Sequence, residues 1–316
     1  MKIAYYEENS YHTEIMGTFL QYFSNLDAEI VVYNTSDKSY TVNYFQKYCN
    51  FVLKPHTELL NDYELYDKIV IGSSAETKDF VAKIGNIDYD KYIFVCHHPN
   101  DIKYDIKSVY KNIIVVTPLN CINSNVKYIM PIHNYFMDII PKEENILTII
   151  GRFKDTNRDT YDLINLINNY AYLNFKIYIF SRAKKFIPKI LFRLSEIYPQ
   201  KLQIFLKINS EKMEHYLKQT KYILPLVNKN SWYHKDRLSG SIAMAYNYNI
   251  PLIIDERLRN IYNIEHCVVY TNSLSEIIHK VVNASTENYN ILVSKFVESK
   301  NKIVEENNKI LEDLDK

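Results

Sequence analysis

The sequence predicts an α/β protein made of two doubly wound halves. Three observations carry this. Short β-branched runs alternate with segments of helical period along the chain. One polar break, Ile139-Ile140-Pro141-Lys142-Glu143-Glu144-Asn145, interrupts the alternation, which then restarts. The 316 residues are 47% hydrophobic and 24% charged, enough apolar material for two covered cores in a water-facing chain.

Lys2–Tyr6 reads as the first strand. The following segment, 12–25, places Ile15, Phe19, Leu20 and Phe23 at helical spacing. Glu29–Tyr33 and Asp67–Ile71 are strands, the latter ending at Gly72-Ser73-Ser74. A helix is expected from Glu76 to Ile84, then buried-type strands at Tyr92–Cys96 and Ile113–Thr117. Beyond the break come strand Ile146–Ile150, turn Gly151-Arg152, helix Thr160–Tyr172 and strand Phe175–Phe180. A basic helix at Lys185–Ile197 and strand Leu202–Leu206 precede a helix at Ser210–Gln219, with Ser210 read as its N-cap. Strand Tyr222–Val227 leads into DRLSGSIAMAYNYNIPLII, a small-residue turn, a helix and a strand at Pro251–Asp255. Cys267–Tyr270 is the last strand; helices at Ser273–Val282 and Tyr289–Leu314 close the chain. The expected domains are 1–142, Rossmann-like, 143–288, Rossmann-like, and a C-terminal helix over 289–316 that crosses back to the first. Two such domains facing each other form a cleft, and open α/β sheets bind ligands beyond the carboxyl ends of their strands.

Composition narrows the function. A net charge of +1 argues against a polyanion-binding surface as the main purpose while leaving room for a local basic pocket. No apolar run reaches the length of a membrane span, and MKIAYYEENS lacks a signal-peptide core. The four cysteines form no CxxC pair, so they read as reduced thiols of a cytoplasmic protein. The 29 tyrosines and 5 glycines fit an AT-rich genome, such as that of a low-GC microbe or a large DNA virus. GxGxxG, GxxxxGK[ST] and GxSxG are all missing, as is a clear Asp-x-Asp after a strand. That speaks against oxidoreductase, P-loop and hydrolase chemistry and against a transferase with a DxD-held metal.

The residues after the strands are the candidates. Gly151 lets the chain turn, and Arg152, Lys154 and Arg158 place three cations before a helix N-terminus, a setting suited to a diphosphate. Ser239, Gly240 and Ser241 open the next helix with free amides and two hydroxyls. His97 and His98 end a strand and could donate a proton or hold a sugar hydroxyl; His12, beside Glu14, is another candidate. Each also has a plain reading as a surface turn, a helix cap or a structural histidine.

These segments resemble the GT-B glycosyltransferases, nearest the retaining group called family 4. ILTIIGRFKDTNR is similar to that group's strand-Gly-Arg segment, SEKMEHYLKQTKYILPLV to the helix and strand before its donor loop, and YIFVCHH to its N-domain histidine strand. The resemblance implies a metal-independent transferase with no required cofactor, using a UDP- or GDP-sugar as donor. It implies diphosphate contacts at Arg152 and Arg158, and base or ribose contacts at Lys207, Ile208 and Asn209. It places His97 near the donor sugar, with His98 beside it, and Asp236 on the transferred sugar. The acceptor is a glycan, lipid or protein; nucleic acid is not expected, and peripheral membrane contact is left open. The family's second glutamate falls on Met244, and its GG turn after the first strand is missing. Retention or inversion therefore stays open. So do a catalytically silent binding protein and a nucleotide-sugar epimerase.

Overall fold

A computed structural model describes residues 1–8, 13–34, 40–73, 88–97, 112–118, 126–135, 142, 144–154, 156–235 and 237–315. The chain divides into two compact units. One is Met1–Tyr135 with Asp236–Leu238 and Lys302–Lys316; the other is Phe136–Lys235 with Ser239–Asn301. Among the described residues, no helix is long and apolar enough to cross a membrane.

The first unit holds a seven-stranded sheet in the order β3-β2-β1-β4-β5-β6-β7. Its strands are β1 Lys2–Glu7, β2 Glu29–Asn34, β3 Val52–Pro55, β4 Lys68–Ile71, β5 Tyr92–Cys96, β6 Ile113–Val115 and β7 Val126–Tyr128. All pairings are parallel. Its helices are α1 Thr13–Asn25, α2 Tyr40–Phe45 and α3 Leu59–Asp62. Because side chains alternate along a strand, Ile3 and Tyr5 enter one core with Phe19, Val70, Ile93 and Ile114. Ala4 and Tyr6 enter another with Tyr33, Tyr66, Ile69 and Phe94. Both faces are thus covered, as a parallel sheet requires. Gly17 of α1 lies where a Cβ would come within 2.5 Å of the His133 ring and 2.8 Å of Phe45.

The second unit has a four-stranded parallel sheet, β10-β9-β8-β11, and a parallel pair, β12-β13. A parallel bridge from Ile223 to Leu252 links the two sets. The strands are β8 Ile146–Ile150, β9 Lys176–Ser181, β10 Leu202–Leu206, β11 Tyr222–Ile223, β12 Ile253–Asp255 and β13 Val268–Tyr270. The helices are α4 Thr160–Tyr170, α5 Lys189–Ile197, α6 Ser210–Gln219, α7 Gly240–Asn247, α8 Glu256–Ile261, α9 Ile278–Val282 and the first half of α10 Thr286–Asp315, whose residues from Lys302 on belong to the first unit. Leu147, Ile149, Leu163, Ile167, Ile177, Ile179 and Leu191 form its core.

Several expected elements change. Strand Tyr222–Val227 shrinks to Tyr222–Ile223, because Pro225 has no N–H and Leu226 takes φ 48°. Asn209, not Ser210, caps α6: its side chain accepts from the Lys212 N–H at 2.9 Å. The basic segment is not one helix. A short 3-10 turn, Lys184–Phe186, and Pro188 come before α5, since a proline cannot sit in a helix interior. The helix expected over 76–84 lies outside the described residues.

Candidate functional site in each unit

In the second unit the strand order reverses between β8 and β11, the place where doubly wound sheets open toward ligands. Gly151 follows β8 with φ +109°, a backbone angle that side chains disfavour. A Cβ there would also lie 3.2 Å from Arg158 Nη2. The turn turns Arg152 outward: it is exposed, with its guanidinium 4.8 Å from the Phe186 ring centroid. Lys154 and Lys185 face the same ring at 5.8 and 5.4 Å.

Arg158 is different, being only 3% exposed. Its Nη1 donates to the Pro225 carbonyl at 2.5 Å and its Nη2 to the Ile150 carbonyl at 2.7 Å. Nη2 also reaches Ser241 Oγ at 3.4 Å, and the guanidinium lies over the Tyr233 ring. This one side chain therefore ties the end of β8 to the chain leaving β11. Burial lowers its pKa, while Tyr233 and Tyr270 push it back up. Its Nε has no hydrogen-bond partner among the described residues.

The Ser239-Gly240-Ser241 turn opens α7 at the same junction. Ser239 is fully buried and its N–H donates to Tyr262 Oη at 3.2 Å; its hydroxyl does not cap the helix. Ser241 donates its hydroxyl to the Ile150 carbonyl at 3.1 Å. On α7 the half-exposed residues are Gly240, Met244 and Tyr248 at its end, a single helical stripe without a carboxylate. At the end of β10, Lys207 is exposed with φ 52° and its N–H bonds the Ser181 carbonyl. Ile208 is half-buried, and Asn209 is occupied as the α6 cap.

A cavity of 270 Å³ lies beyond β11, β12 and β13, lined by Asp159, Val227, His234, Asp255, Tyr270 and Asn272 among others. His234 is 5% exposed and its Nδ1 has no partner among the described residues. Burial lowers the His234 pKa and raises that of Asp255. Nearby, Asp162 is pushed up to about 6, first by burial, although it accepts the Leu274 N–H at 2.9 Å. The sequence reading passed over this cavity. The strand-end rule that marked Arg152 would have marked Asp255 and Thr271 too, had it been applied to the last two strands.

In the first unit the order reverses between β1 and β4. Here the buried group is a carboxylate. Glu7 is fully buried and accepts from Ser73 Oγ at 2.8 Å. Ser73 Oγ lies 3.4 Å from His97 Nε2, which is 2.9 Å from the Gly72 carbonyl. A carbonyl only accepts, so Nε2 carries the proton; in the neutral ring Nδ1 then holds the lone pair. Thr117 donates to the His97 carbonyl at 3.2 Å, and Asn34 donates to the Glu7 carbonyl at 2.8 Å. Burial, then Glu7, raises the Tyr5 pKa. His12, His98 and Asp236 lie outside the described residues. No described group of three or more His, Cys, Asp or Glu is arranged to hold a metal ion.

No protein-family profile and no curated protein matches the chain. Solved structures do. The chain is similar over 99% of its length to HepE of Anabaena bound to UDP and glucose, covering 99% of that chain at TM-score 0.69 and 10% identity. It is similar over 99% of its length to a glycosyltransferase of Rickettsia africae, covering 98% of that chain at TM-score 0.67 and 13% identity. It also resembles the sucrose-phosphate synthase of Thermosynechococcus elongatus, with 99% of each chain covered, TM-score 0.60 and 11% identity. Likeness at such identities is likeness of fold: the protein has the parallel α/β architecture of the GT-B glycosyltransferases.

Proposed function

We propose that this protein is a glycosyltransferase that takes a nucleotide-diphosphate sugar, a UDP-sugar first of all, and passes the sugar to a carbohydrate or glycoconjugate. The Gly151-Arg152 turn carries the reading. It sets an exposed guanidinium at the switch point of a sheet, next to a junction that Arg158 keeps rigid. A fixed cation there offsets the charge that builds on a departing diphosphate, so the transfer would proceed without a bound metal. Three of the similar structures hold UDP, one with glucose, one alone and one with DNA, and a fourth holds UDP-glucose. His97 would lie near the donor sugar, as the sequence resemblance implies. Asp236, His12 and His98 remain candidates on the sequence resemblance. We place the reaction in the cytoplasm.

The half-exposed α7 stripe bears Met244 where the family has a carboxylate, which favours one second reading, a silent nucleotide-sugar binder. Calorimetry with UDP, GDP, UDP-glucose and GDP-mannose separates the two. The transferase reading expects UDP binding that survives EDTA, plus slow hydrolysis of a UDP-sugar. Arg152→Ala should weaken UDP binding about tenfold or more, with an unchanged urea midpoint. Binding without hydrolysis or transfer supports the silent protein, and no binding of any nucleotide overturns both.

A further inference from the structure

The stretch Arg182–Ile197 carries five cations, Arg182, Lys184, Lys185, Lys189 and Arg193, against one acid, Glu196. The whole chain is only +1, so this segment at +4 leaves the remainder at −3. Net charge is an average, and here it conceals a local excess. The exposed residues of α5 are Lys189, Ile190, Arg193, Glu196 and Ile197, one continuous stripe of the helix. Leu191 and Leu194 hold the opposite stripe in the core.

Two exposed residues on that stripe are apolar. Ile190 is 41% and Ile197 64% exposed, and they stand two turns apart, about 10 Å. Just before the helix, Lys184 and Lys185 lay their amines over the Phe192 and Phe186 rings at 5.2 and 5.4 Å. Cations beside isolated branched aliphatics on one face suit an interface with both phosphates and hydrocarbon. A nucleic-acid backbone or a soluble anion would use the cations and leave the isoleucines in water.

We propose that Lys184–Ile197 docks on an anionic lipid surface. Helix α5 lies in the plane of the headgroups, Ile190 and Ile197 enter the acyl boundary, and Lys184, Lys185, Lys189 and Arg193 meet lipid phosphates. Phe186 of this segment lies under Arg152, so the variants below leave Phe186 and Lys185 in place, and flotation is read without any nucleotide sugar.

Flotation of the full chain on phosphatidylcholine vesicles, with and without phosphatidylserine, provides that test. The protein should float with the anionic vesicles only and be released by salt. Combining Lys184→Gln, Lys189→Gln and Arg193→Gln should lower the partition about a hundredfold, near fivefold for each charge. Ile190→Ser with Ile197→Ser should lower it while leaving its salt dependence unchanged. Glu196→Lys, a change of two charges, should raise it about twenty-five-fold on anionic vesicles and leave neutral vesicles unbound. Three results overturn the proposal: no flotation on anionic vesicles, flotation indifferent to the charge variants, or a duplex oligonucleotide that displaces the protein from vesicles while the isoleucine variant floats as wild type does.

Discussion

The two sheets solve the same topological problem with opposite charges. At its switch point the first unit buries a carboxylate, Glu7, and the second buries a guanidinium, Arg158. Glu7 accepts from a neighbouring hydroxyl and leaves His97 aligned through Gly72 and Ser73. Arg158 donates to main-chain carbonyls from two strand ends and so acts as a staple. The difference follows from donor geometry. A planar guanidinium spans two separated acceptors in one plane, whereas a carboxylate gathers donors toward a point. Cation chemistry in the second unit thus splits between Arg158, which holds the junction, and Arg152, which stays exposed.

The sharpest test removes the staple. Arg158→Met leaves the Pro225 carbonyl without its side-chain donor and the Ile150 carbonyl with Ser241 Oγ alone. Unfolding by urea should show about 3 kcal/mol lost, the upper end for a buried acceptor left unsatisfied. Arg158→Lys should recover only part of it, because an ammonium on a flexible stem reaches one carbonyl well and not both. If the methionine variant is nearly as stable as wild type, Arg158 is no staple and the contrast with Arg152 fails.

A second test compares the buried acids. Asp162 has its pKa raised from 3.8 to about 6 in the folded protein. A raised folded pKa gives stability that is complete below the unfolded value and lost as pH climbs through the folded one. Wild type should therefore lose roughly 3 kcal/mol between pH ~4 and pH ~7 at this site. Asp162→Asn, which still accepts the Leu274 N–H, should be more stable than wild type at pH ~7 by up to that amount and match it below pH ~4. Equal urea midpoints for the two proteins at both pH values would refute the burial account.

The smallest effect concerns the carboxylate edge. A Cβ on Gly72 would lie 2.6 Å from both Glu7 Oε2 and Tyr5 Oη. Gly72→Ala should cost about 1–3 kcal/mol, because the buried tyrosine ring cannot shift freely. It should also change the tautomer or pKa of His97 in nitrogen-edited NMR spectra. An unchanged histidine signal would separate the Gly72 carbonyl from His97 positioning.

Strands were the most legible part of the sequence. Tyr92–Cys96 and Ile146–Ile150 run where the apolar runs place them, because a strand covered on both faces writes itself as a nearly continuous apolar run. Strands β3 and β7 escaped because they are short and half open to solvent. Helix α2 escaped because six residues make no readable period. At the sites, the strand-end rule singled out Arg152, His97 and the Ser73 turn as candidates. It had no way to tell that Arg158 is buried and Arg152 exposed, since both are cations within one loop.

By itself the amino-acid sequence determined the alternation of strands and helices, the parallel sheets they imply, and the small turns at the strand ends. Those are local matters of period, backbone freedom and proline. Tertiary structure alone decided which charges face water. Glu7, Asp162 and Arg158 are buried because distant segments supply their partners or their cover: Ser73 for Glu7, Leu274 for Asp162, and Pro225 for Arg158. A charge's hydration depends on what the fold brings next to it, and no nearby stretch of sequence records that.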